Sequence, residues 1–137
     1  MNTQSRRLSY ERLDQIFLEA FPELHDRYKQ AFDYWGDDSK QRPGSYGLFS
    51  NVVYPYVIEA LDSGQSDEIL TRLFLFFEEM SSSKDAEVRN LLGLEVIDEL
   101  LRHPARLARA WKYMGHSTKS FAAEAANTLN LKGSLPR

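Results

Sequence analysis

Apolar residues recur along almost the whole chain at i, i+3, i+4 and i+7, and no stretch of strand length alternates apolar with polar. That period is the signature of helices burying one stripe, so the expected fold class is all-α. Leu13, Ile16, Phe17, Ala20 and Phe21 mark a first helix over 9–21, with Ser9 as N-cap and a Leu8/Leu13 staple. Pro22 fits the first turn of a second helix, whose buried side is Leu24, Tyr28, Ala31, Phe32 and Trp35 and which ends at Gly36. Residues 36–47, GDDSKQRPGSYG, read as the longest loop.

Phe49, Val52, Val53, Tyr56, Val57 and Ala60 resume the stripe, but Pro55 lies within it and predicts a kink or break near 52–54. After the turn Ser63-Gly64-Gln65, Ser66 is the expected cap of a deeply packed helix carrying Ile69, Leu70, Leu73, Phe74, Phe77 and Met80, with Phe76 at the margin. Residues 85–102 place Leu92, Leu94, Val96, Ile97, Leu100 and Leu101 over more than half a circumference, which predicts a central helix. The remaining face carries Glu95, Asp98, Glu99 and Arg102. Pro104 starts a further helix with Leu107, Trp111 and Met114 inward and Gly115 as C-cap. Ser117 is the expected cap of the last helix, packed through Phe121, Ala122, Ala125, Ala126 and Leu129.

Six or seven short helices with short turns predict a compact antiparallel bundle, with α-solenoid-like stacking of helical hairpins as its variant. A length of 137 residues fits one domain, expected over 1–131, with 132–137 as an unordered tail. With 42% hydrophobic and 27% charged residues, the chain has the composition of a globular domain rather than a disordered one. The longest apolar run, Leu73 to Phe77, is too short to cross a bilayer, and the first fifteen residues lack the apolar core of a secretory signal. The expected location is therefore cytoplasmic, with no membrane partner.

The chemistry available is sparse. Without Cys there are no disulfides, thiol nucleophiles or zinc ribbons. His25, His103 and His116 have no metal-ligand spacing, and the pair His25-Asp26 lacks the further His and Asp that a phosphohydrolase of the HD type needs. The carboxylates Glu78/Glu79 and Glu95/Asp98/Glu99 match no glycosidase or di-iron pattern, and residues 43–47 lack the lysine of a phosphate-binding loop. No enzyme activity, metal or cofactor is expected.

Charge is unevenly distributed. Residues 1–58 hold seven basic and eight acidic groups, 59–101 three and eleven, and 102–137 seven and one. An acidic middle and a basic end imply charged partners unless the fold brings the two together. Arg102, His103, Arg106, Arg109, Lys112, His116 and Lys119, with Trp111 and Tyr113, suggest a helix-turn-helix. Its reading helix, however, would be FAAEAANTLN, which lacks Arg, Lys and Gln, so nucleic acid is disfavoured.

The block LFLFFEEMSSSKDAEVRNLLGLEVIDELL at 73–101, followed by ARAWKYMGHSTKSF at 108–121, resembles small all-helical immunity proteins of bacterial polymorphic toxin systems, including contact-dependent growth inhibition. The shared features are Phe77-Glu78-Glu79 ending an aromatic helix, the polar turn 81–84, Glu95 and Glu99 on a long helix, and Tyr113-Met114-Gly115. The resemblance spans roughly 66–121 and implies a cytoplasmic inhibitor that binds and covers one cognate toxin domain. A basic toxin C-terminal domain, such as a nuclease, suits a partner with an acidic surface. The expected partner-binding residues are Asp37, Asp38, Glu78, Glu79, Glu95, Asp98 and Glu99, with Trp35, Tyr46 and Trp111 as anchors if exposed. A helical adaptor or scaffold is the alternative reading. Oligomeric state is left open by the sequence.

Overall fold

The computed structural model describes residues 8–32 and 44–136, which hold seven helices and no strand. Helix α1 is Tyr10–Ala20, with Leu13 and Phe17 one turn apart and both fully buried. Ser9 stands at its N-cap, as the sequence suggests, but its side chain makes no cap bond. The Asp85 carboxylate accepts the Tyr10 N–H instead, at 2.8 Å, while its other oxygen accepts the Glu87 N–H at 3.0 Å. One side chain thus caps two helices that are distant in sequence. A 3₁₀ turn, Pro22–Leu24, then leads into α2, His25–Phe32.

Helix α3 spans 44–63 and contains a widened π turn at Phe49–Val53. Pro55 explains the position of that turn: it has no N–H to give the carbonyl four residues earlier, and its ring needs room there. The irregularity falls where the sequence predicts one, but the helix continues through it instead of breaking in two. Gly64 ends α3 at φ +68° with open space around it, so backbone conformation alone calls for glycine.

The remaining helices are α4 (Asp67–Ser81), α5 (86–101, with a second π turn at Gly93–Ile97), α6 (Pro104–Trp111) and α7 (His116–Leu129). Helix α5 packs against α1, α3, α4, α6 and α7, making it the central element the sequence anticipates. These shared contacts define one bundle core. A hairpin solenoid would instead have each pair touch only its neighbours. Phe17 is the hub of the aromatic part of this core, with ring centroids 4.6 Å from Phe21, 5.1 Å from Phe49 and 4.9 Å from Phe76.

Several local expectations are corrected. Phe76 is buried at 2% exposure rather than marginal, whereas Leu94, expected in the core, is 55% exposed. Gly115 caps the start of α7 and not the end of α6, and Ser117 lies inside α7. Lys132–Ser134, expected in an unordered tail, form a 3₁₀ turn, and Leu131 and Leu135 on either side pack on the core. Asp37, Asp38, Trp35 and Gly36 lie outside the described residues.

Replacing Phe17 by Ala should cost about 3–5 kcal/mol through lost aromatic contacts and the cavity left behind. Leu75→Ala, at a side chain 62% exposed, should stay within about 0.5 kcal/mol. Urea unfolding of the two variants checks the contrast.

Candidate protein-binding surface

The carboxylates of the acidic middle segment fall into two groups. In the first, the chain itself supplies the partners. Glu78, near the end of α4, accepts hydrogen bonds from the Ser117 N–H at 3.0 Å, the Thr118 N–H at 2.9 Å and the Thr118 hydroxyl at 2.7 Å. It occupies the N-terminus of α7, where unpaired N–H groups and the helix dipole favour an anion. Burial pushes its carboxyl up, but the Thr118 hydroxyl, the two N–H donors and nearby His116 together hold it below the ordinary value. A Cβ on Gly115 would sit 2.5 Å from the Glu78 carboxyl carbon, so any larger residue there would displace this carboxylate from its bonds. Glu78, one of the expected partner-binding residues, is thus engaged as an internal cap of α7.

Asp62 and Glu23 are engaged in the same way. Arg109 donates to Asp62 at 2.9 Å and Arg106 at 3.3 Å, while Tyr113 donates a very short hydrogen bond to Asp67. The acidic middle and the basic end consequently meet within the molecule, and the charge separation seen along the sequence is partly cancelled in space. On another face Arg72 binds Glu23 at 3.0 Å and the Ala20 carbonyl at 3.0 Å, above the Phe21 ring. Tyr56 donates to Glu23 at 3.1 Å, and Arg27 grips Glu59 with both terminal nitrogens at 2.8 and 2.6 Å. Glu59 and Asp62 are held below their ordinary values chiefly by their arginine hydrogen bonds. For Glu23, burial raises the carboxyl, but Arg72, a backbone donor and Tyr56 outweigh it.

The second group is Glu95 and Asp98, on α5 around its π turn. Burial, then the charge of Glu99, raises the Glu95 carboxyl, against a smaller opposing effect of the Ser50 hydroxyl. Burial also raises Asp98, with Glu99 adding to it and Arg102 opposing. Glu95 lies toward α3, near Ser50 and Tyr46, while Asp98 borders a cleft between α5 and α7. Glu99, half-buried, acts on both of them and on Tyr54. The three expected residues therefore share one ridge, but the π turn lets them flank it rather than form one flat face.

The cleft beside Asp98 has a volume of about 260 Å³ and is bordered by Arg89, Gly93, Leu94, Phe121 and Glu124 among others. A Cβ on Gly93 would meet the Phe121 ring at 3.4 Å, so the ring lies close to the α5 backbone there. Sequence reasoning placed Leu94 in the core and missed the cleft. The exposed Leu94 follows from the π turn, which has no simple periodic signal. Glu79 is half-buried beside Glu78; of the expected anchors, Tyr46 packs on Tyr10 at 5.6 Å and Trp111 lies under Lys119 at 5.6 Å. Among the described residues no group of three or more His, Asp or Glu is placed to hold a metal ion, and no helix is long and apolar enough to cross a membrane.

Fold and surface together define a single all-α domain with an acidic ridge beside a small, partly apolar cleft. The chain belongs to the family described as Domain of unknown function (DUF7674), whose match covers residues 15–129. Comparison with curated proteins and with solved structures gives no match.

The two carboxylate groups have opposite effects on stability. Because the Glu78 carboxyl is held low in the fold, its contribution is complete above the ordinary carboxylate range and is lost as pH falls through its folded value. Glu78→Gln should cost about 1–2 kcal/mol at neutral pH, and this difference should shrink on acidification. Glu95, raised in the fold, stabilises only below the ordinary range and loses that contribution as pH rises through its folded value. Glu95→Gln should therefore gain a few tenths of a kcal/mol at neutral pH, on the scale of a relieved like-charge helix pair. Urea unfolding at pH 7 and at mildly acidic pH tests both signs.

Proposed function

We propose that this chain is a stoichiometric inhibitor, an immunity protein that binds and neutralises a cognate bacterial toxin domain. The observation that carries this reading is the sorting of the carboxylates. Glu23, Glu59, Asp62, Glu78 and Asp85 are satisfied by donors of their own chain, whereas Glu95 and Asp98 are held where their charge is unfavourable. A protein that keeps such groups at a surface loses stability that a cationic partner would restore on binding. The resemblance to toxin-immunity proteins supplies the partner class, and charge complementarity favours a basic toxin such as a nuclease, met in the cytoplasm. Asp62 already engages Arg106 and Arg109, which weakens the competing nucleic-acid reading.

In this reading Glu95, Asp98 and Glu99 carry the contact, Glu78 serves the fold, and the protein acts by occupying the toxin rather than by catalysis. The test is a pull-down with the tagged full chain from its native cells. The co-purifying protein is then identified and expressed in a susceptible host with and without this chain. Growth arrest relieved only by co-expression, with a complex of fixed stoichiometry, is the expected outcome. A non-toxic partner would replace this reading by that of an adaptor. Joint replacement of Glu95 and Glu99 by Gln and of Asp98 by Asn should weaken the complex at least tenfold and flatten its salt dependence, with helicity unchanged by circular dichroism. Unchanged affinity would remove the ridge from the interface.

A further inference from the structure

The cleft between α5 and α7 has a chemistry more specific than a general acidic surface. Its lining includes the α5 backbone at Gly93 and, close against it, the half-buried ring of Phe121. Leu94, 55% exposed, contributes one apolar wall, and Leu129 adds apolar surface on the α7 side. Asp98 and Glu124 supply two negative charges at its border. Arg89, the cation among the lining residues, donates through Nη1 to the Ser83 carbonyl at 2.5 Å, at the turn between α4 and α5. Arg102, one helical turn beyond Asp98, moderates that carboxylate without offsetting the effect of its burial. The cleft is thus a short slot with a flat aromatic floor, an aliphatic wall and an acidic border.

We infer that this slot is the seat for an arginine side chain of the protein partner, its guanidinium paired with Asp98 and stacked on Phe121, and its methylene stem lying along Leu94. A guanidinium is planar and weakly hydrated, can meet a carboxylate with two parallel hydrogen bonds, and stacks on an aromatic face. An ammonium can do none of these in the same geometry, so the slot should prefer arginine to lysine. The inference rests on the inhibitor reading for the partner's identity, but the slot's preference can be measured without that partner.

The first experiment titrates the isotopically labelled full chain with a capped tripeptide, arginine between two leucines, and with its lysine counterpart, followed by nuclear magnetic resonance. Saturable shifts centred on Gly93, Leu94, Asp98 and Phe121, at least fivefold tighter for arginine, are expected. Asp98→Asn should weaken the arginine peptide about tenfold, the scale of a lost charge-assisted hydrogen bond. Leu94→Lys, at an exposed site that does not endanger folding, should do the same by placing a competing cation at the slot. Shifts centred elsewhere, equal affinity for the two peptides, or indifference to both variants would overturn the inference. The same variants are then measured against the toxin domain. If the toxin is neutralised but Asp98→Asn and Leu94→Lys bind it as tightly as the natural chain, the arginine seat fails and the inhibitor reading stands. If the peptide result holds and no toxin is neutralised, the seat stands and the inhibitor reading fails.

Discussion

The carboxylate of Glu78, pressed against the Cα of Gly115 and bound by three donors of α7, is the contact on which the second half of the fold depends. It joins the end of α4 to the start of α7 across a turn that carries no side chain at the point of closest approach. Without it the N-terminus of α7 would leave the partly buried Ser117 and Thr118 N–H groups without this acceptor. The Ser81 hydroxyl, which donates to the Glu78 carbonyl at 2.9 Å and lies 2.9 Å from the Ser117 hydroxyl, extends the same polar junction. Two of the features behind the resemblance, Phe77-Glu78-Glu79 and Tyr113-Met114-Gly115, are therefore halves of one structural device. This transfers the weight of the binding reading from Glu78 to the ridge on α5.

Asp85 plays the corresponding part in the first half, closing the N-termini of α1 and α5 with its two oxygens. The Asp85 bond to the Tyr10 N–H stands where Ser9, placed as the sequence suggests, makes no cap bond, and Glu78 serves the N-terminus of α7, inside which Ser117 lies. A carboxylate carries full charge and two acceptor oxygens, and when the fold brings it to a helix N-terminus it competes well with a hydroxyl. Both ends of α5 are fixed, one by Asp85 and the other by the turn into Pro104. The π turn lies at its centre, where Leu94 is exposed and Phe121 lies against Gly93.

Much of the architecture was legible in the sequence because burial of one stripe is a local, periodic requirement. The helices, the central place of 86–101 and the irregularity ahead of Pro55 all follow from patterns within about twenty residues. The ridge was legible in part: Glu95, Asp98 and Glu99 do occupy one region of α5. The internal role of Glu78 was not legible because its partners, Ser117 and Thr118, lie some forty residues away, and a glutamate at a helix end carries no mark of what will reach it. The terminal segment was misjudged for a similar reason, since Leu131 and Leu135 find core surface that only the assembled bundle provides.

The sequence by itself determined the secondary structure and the apolar faces that must meet, because periodicity and backbone chemistry act over a few residues. Only the tertiary structure decided which carboxylates are held by donors of their own chain and which lie where burial opposes their charge. It brought Arg106 and Arg109 to Asp62, Arg72 to Glu23 and α7 to Glu78, while leaving Glu95 and Asp98 half-buried beside like charge. The physical reason is that electrostatic partnership depends on distance and solvent exclusion in space, and neither is encoded in spacing along the chain.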